Sequence, residues 1–108
     1  MAKLEKKLSG DFDQILGKIE RGVMNGSASA TLEDASDFRV GEARCSVRVF
    51  ERYSYTGGNR VSMSVTVFQG EDGVVHVSAI TSGGSQAMFF KMNTLGEESF
   101  LDTLRDIL

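Results

Sequence analysis

Arg48, Arg52, Phe68 and His76 are the residues of this chain best suited by type to hold an anionic or amphipathic small molecule. Arginine makes bidentate contact with carboxylate or phosphate, and a phenylalanine ring supplies an apolar floor. What brings them together is a period of two. From Ala43 to Thr81 the odd positions carry the apolar set: Ala43, Cys45, Val47, Val49, Tyr53, Tyr55, Val61, Met63, Val65, Val67, Val75, Val77 and Ala79. The even positions are mostly Ser, Thr, Arg and His, so the segment reads as strands with one buried face. In that reading Arg48 stands opposite Phe68 and Phe68 opposite His76 in one row. Arg52, Ser64 and Ile80 form another, with Phe50, Thr66 and Ser78 between. The plainer reading of the same residues, and the preferred one, is a solvated outer sheet face with Arg48 stacked on Phe68 in a cation–π contact.

Other reactive groups stand alone. Glu51 is the one charge on the apolar parity of its strand. Under helices it would be an acid or base of raised pKa, but a sheet end or bulge that turns it outward is the simpler expectation. Ser82-Gly83-Gly84-Ser85 offers backbone N–H groups to an anion, yet lacks the lysine and the strand-to-helix placement of a phosphate loop. His76 is the single histidine and has no cluster of Cys, His or carboxylate around it, so no metal is expected. Cys45 falls on the opposite parity from His76 and reads as a small buried hydrophobe rather than a nucleophile. No cofactor is expected, and the balance leans away from an enzyme because acid–base catalysis needs positioned partners.

At 108 residues the chain, residues 1–108, makes one domain with one core. Hydrophobic content of 41% and charged content of 25% are those of a globular protein rather than a disordered one. A net charge of −3 argues against nucleic acid as a partner. The N-terminal MAKLEKKLSG has no apolar core of the signal-peptide kind, and no run is long enough to span a bilayer, which points to the cytoplasm.

The elements follow from the periodicities. Ala2, Leu4 and Leu8 alternate with lysine and glutamate as a first strand. Phe12, Ile15, Leu16, Ile19 and Val23 recur at helical spacing, with Asp11 as N-cap, Gln14 as its capping-box partner and Asn25-Gly26 as the stop. Gly17 is a candidate close approach in that helix. Ala28, Ala30 and Leu32 suggest a second strand, and residues 33–42 a solvated connection with a turn or bulge at Gly41. The longest strand runs from Ala43 to Thr56. Parity favours a three-residue loop at Gly57-Gly58-Asn59, pairing Tyr53 with Met63 and setting Asn59 at positive φ. The same test at Glu71-Asp72-Gly73 pairs Val67 with Val77 and sets Gly73 at positive φ. Residues 87–93 (AMFFKMN) are apolar on both parities, and a strand buried on both faces is favoured over a short helix. Thr94 and Glu97 then form a capping box before a final helix striped by Phe100, Leu101, Leu104, Ile107 and Leu108. The expected fold is α+β, a mostly antiparallel sheet in the order β-α-β-β-β-β-β-α with two helices packed on one face.

The stretches MNGSASATLED (24–34), RVFERYSYTGGNRVS (48–62) and SAITSGGSQAMFFKMNTLGEESFL (78–101) resemble a family of small proteins of Gram-positive bacteria classed as a domain of unknown function. The resemblance covers essentially the whole chain. It implies a bacterial, cytoplasmic setting and carries over no substrate, cofactor or catalytic residue.

Two functions compete on the residues alone. The first is a small non-enzymatic interaction module that associates with itself or with a protein partner through its sheet, because Phe50, Phe68 and Ile80 lie on a face that the helices cannot also cover. The second is a binder of small hydrophobic or amphipathic molecules in a cavity between helices and sheet, lined by Met, Tyr and Ala.

Overall fold

The computed structural model describes residues 1–54, 59–83 and 90–108. Its elements are β1 (Ala2–Leu8), α1 (Phe12–Asn25), β2 (Thr31–Val40), β3 (Ala43–Ser54), β4 (Asn59–Gln69), β5 (Val75–Gly83) and α2 (Phe90–Ile107). The strands form one sheet in the order β1-β5-β4-β3-β2, with every neighbouring pair antiparallel. The fold is α+β, with both helices against one face. No helix of the described residues is long and apolar enough to cross a membrane.

Local chemistry sets α1. The Asp11 carboxylate accepts a 2.9 Å hydrogen bond from the Gln14 N–H, which satisfies one of the first-turn donors. Phe12, Leu16, Ile19 and Val23, three or four apart, form the buried stripe. The helix ends at Gly26, whose N–H donates to the carbonyls of Gly22 and Val23. Gly26 keeps a right-handed φ of −76°, so it stops the helix without the left-handed turn that Asn25-Gly26 suggests. Its use is proximity: a Cβ there would stand 2.6 Å from Thr103 Cγ2 of α2. Gly22 is tighter still, with Ile107 Cδ1 2.3 Å from its Cβ position, whereas Gly17 faces only the tip of Arg21. The close helix–helix approach thus belongs to Gly22 and Gly26, not to Gly17.

The core lies between the helices and the inner sheet face. Val61, Met63, Val65 and Val67 of β4, Val75, Val77 and Ala79 of β5, and Phe50 of β3 meet Ile19 and Val23 of α1 and Phe100, Leu101 and Leu104 of α2. The β4–β5 hairpin has the expected register, with Val67 opposite Val77 and Gly73 at φ +78°. The Gly73 N–H donates to Gly70 O and the Asp72 carboxylate accepts from the Val74 N–H, holding the three-residue loop.

Three expectations fail for physical reasons. The strand after α1 is not residues 27–32 but Thr31–Val40, and it is exposed throughout. An edge strand that no helix covers needs no apolar parity, so Glu33, Asp34 and Asp37 read as a connection; a bulge at Glu33 interrupts its pairing. In β3 the phase is reversed. Tyr53 lies opposite Arg60 and Phe50 opposite Met63, not Tyr53 opposite Met63. Ser54 pairs with Asn59, so the connection is 55–58, four residues, which lie outside the described set. No described residue other than glycine has positive φ, Asn59 included. The inner face of β3 is therefore Arg44, Ser46, Arg48, Phe50 and Arg52, while Cys45, Val47 and Val49 point away from the helices. Finally, α2 begins at Phe90, so residues 90–93 are helical rather than strand, Thr94 lies inside the helix, and residues 87–89 lie outside the described set.

The reversed phase is stable because arginine can line the rim of a core. The Arg44 guanidinium lies 4.1 Å from the Phe12 ring centroid and makes paired bonds of 3.0 and 2.8 Å to the Asp13 carboxylate. Arg52 lies 4.6 Å from the Phe100 ring centroid and donates to Ser99 and Thr103. Their stems cover apolar surface while their heads meet polar groups on the helices.

Candidate functional site

The outer face of the sheet is the surface that neither α1 nor α2 covers. The registers define three rows across it from β2 to β1. One runs Asp34, Val49, Ser64, Ile80, Lys3; the next Ser36, Val47, Thr66, Ser78, Glu5; the third Phe38, Cys45, Phe68, His76, Lys7. Val40 and Ala43 extend the β2–β3 end. Phe38, Val40, Phe68 and Ile80 are 58%, 76%, 42% and 43% exposed, and with Tyr53 they make five of the eight exposed large apolar residues described. Scattered exposed apolar residues are ordinary, but this concentration on one face is not.

Of the four candidate residues, the structure joins only two. Phe68 and His76 are cross-strand neighbours, their ring centroids 6.3 Å apart and tilted by 46°. They line, with Lys7, Thr66 and Ser78, a shallow depression of about 270 Å³. Arg48 and Arg52 lie on the helix-facing side, so neither shares a row with Phe68, and the cation–π contact between Arg48 and Phe68 does not form. Arg48 is nearly buried, and its guanidinium pairs with Asp37 at 3.0 Å and Glu20 at 3.6 Å and donates to the Val47 carbonyl at 3.0 Å. A guanidinium so engaged joins β2, β3 and α1 and offers no free fork to a ligand.

Electrostatics point the same way. Hydrogen bonds from Ser46 and then Arg48 hold the Asp37 carboxyl below the usual carboxylate range. The Arg44 guanidinium does the same for Asp13. Burial, and next the Asp37 charge, push the Cys45 thiol up, which disfavours thiolate. Cys45 shares the outer face with His76, contrary to the parity reading. The two still make no dyad, because Phe68 stands on the strand between them and two strand spacings are about 10 Å. Glu51 also faces outward, half-exposed and bonded at 2.8 Å to Arg60, so it is not a buried acid. No group of three or more His, Cys, Asp or Glu among the described residues can hold a metal. Gly84 and Ser85 of the glycine-rich loop lie outside the described residues.

Phe38 and Val40 also belong to the outer face, on a strand whose sequence reads as a connection. Their signal is short: a two-residue turn at Gly41-Glu42 sets Val40 opposite Ala43 and Phe38 opposite Cys45. Gly41 takes φ +59°, as such hairpins require.

A family model described as a family of unknown function, DUF6054, matches residues 1–108. The chain belongs to this family. No curated protein matches it. Among solved structures it is similar to the hypothetical protein jhp0584 from Helicobacter pylori, with 10% identity and a TM-score of 0.45 over 94% of this chain and 83% of that one. A likeness at that level carries no functional argument, and membership of DUF6054 leaves function to be read from the surface itself.

Proposed function

We propose that the protein is a small non-enzymatic interaction module of the bacterial cytoplasm that self-associates through the outer face of its sheet. The observation that carries this reading is the apolar band of Phe38, Val40, Val47, Val49, Phe68 and Ile80, drawn from four adjacent strands and left without a covering layer among the described residues. A two-layer domain with a solvated sheet face ordinarily sets polar side chains there. The area also fits. Five strands at about 4.8 Å and seven shared residue positions at about 3.3 Å give about 550 Å² per copy, or about 1,100 Å² for a pair, just above the roughly 1,000 Å² that a specific interface needs. The lone cysteine, unable to form an intrachain disulfide, suits a reducing compartment.

The competing ligand-cavity reading has less support, because Met63 and Ala79 of the inner sheet face pack into one continuous core cluster and Tyr53 lies exposed on the outer face. Sedimentation velocity over a concentration series from low to high micromolar tests the proposal. The expected result is a concentration-dependent dimer that Phe68→Glu abolishes while the circular dichroism spectrum is kept. A strict monomer throughout the range refutes self-association.

A further inference from the structure

The chemistry of the outer face also selects how two copies meet. Resting on the self-association reading above, we infer that the two-fold axis of the dimer runs parallel to the strands, over β4. Two sheets packed face to face admit two simple in-plane axes, one along the strands and one across them. An axis along β4 returns each row onto itself with its ends exchanged. The row Asp34, Val49, Ser64, Ile80, Lys3 then sets Asp34 against the Lys3 position of the second copy, and Val49 against its Ile80 position. In the row of Phe38, Phe68 lies on the axis against its own counterpart. An axis across the strands instead lays β1 on β1, bringing Lys3 against the Lys7 position and Glu5 against Glu5. Like charges facing each other at an interface disfavour that arrangement. Asp34 and Lys3 are both exposed, and among the described residues Lys3 is tied only to its neighbour Glu5, at 3.4 Å with both side chains largely in solvent, so it is available to a second carboxylate.

Charge reversal reads the axis directly. Sedimentation equilibrium of the full chain is run on Lys3→Glu, on Asp34→Lys and on the double variant. Each single reversal places two like-charge pairs in the dimer and is expected to raise the dissociation constant about five- to thirtyfold; the double variant restores it to within about threefold. Lys7→Glu, which has Phe38 rather than a carboxylate opposite it, serves as the control and shifts the constant by less than about threefold. Dimers that weaken in both single variants without rescue in the double overturn the axis but leave the face. Dimers that survive Phe68→Glu overturn the face itself.

Discussion

The phase of β3 is open to a direct energetic test. Phe50 is fully buried beneath the helices, whereas Val49 is half-exposed on the outer face. Phe50→Ala removes a ring from a packed core and is expected to cost about 3–5 kcal/mol through lost transfer energy and the cavity left behind. Val49→Ala removes two methyl-sized groups from a site already half in water and is expected to cost about 1 kcal/mol or less. A domain of this size has about 5–15 kcal/mol in total, so the first change consumes a large share and lowers the melting temperature by at least about 12 °C. Urea unfolding followed by circular dichroism measures both, with unchanged m-values as the sign that only stability has moved. The comparison belongs in the Phe68→Glu background, where dimerisation cannot stabilise the outer face by mass action. If Phe50→Ala unfolds the chain outright, Phe50→Leu supplies a milder step of about 1–1.5 kcal/mol. A larger loss for Val49→Ala than for Phe50→Ala would refute the inward phase of the even positions, and with it the assignment of Val47 and Val49 to the docking face.

Gly22→Ala is expected to destabilise by about 1–3 kcal/mol because its Cβ position lies 2.3 Å from Ile107 Cδ1, with partial rescue by Ile107→Ala, while Gly17→Ala, which meets only the end of Arg21, is expected to stabilise by about 0.5–1 kcal/mol; thermal melts rank the variants. The acid limb of stability follows from the depressed Asp37 and Asp13 carboxyls. Each binds its proton more readily unfolded than folded, so their contribution is complete above the ordinary aspartate pKa of about 4 and is lost as the pH falls through their lower folded values. Stability against pH should therefore be flat near neutrality and fall below about pH 4, with a shallower fall in Asp37→Asn; a fall that begins above pH 6 would contradict the assignment. Cys45, with its thiol pKa raised, is expected to react with iodoacetamide at pH 7 several-fold more slowly in the folded chain than in urea. Equal rates would show a thiol neither shielded nor shifted, and would refute the assignment.

Much of the architecture is written in local pattern. The stripe of Phe12, Leu16, Ile19 and Val23 specifies α1, Asp11 its start, and the alternation through β4 and β5 specifies a hairpin whose register the Gly73 turn confirms. These elements are legible because neighbours in sequence supply both the pattern and the partner. In β3 the two separate. Its odd positions carry more apolar residues than its even ones, yet the even ones face the helices, since Arg44, Arg48 and Arg52 find Asp13, Glu20 and the hydroxyls of Ser99 and Thr103 there. Those partners lie tens of residues away, so no window of sequence contains them. The same distance hides the outer face. Valine on a strand reads as core until the covering layer is known, and only the docked helices decide which side of a sheet is left bare. Chain-local periodicity determined α1 and the strands β1, β3, β4 and β5, but neither β2 nor the start of α2; long-range ion pairs and helix placement determined which way β3 faces, and therefore that Arg48 and Arg52 belong to the scaffold while Phe68 and His76 belong to the surface.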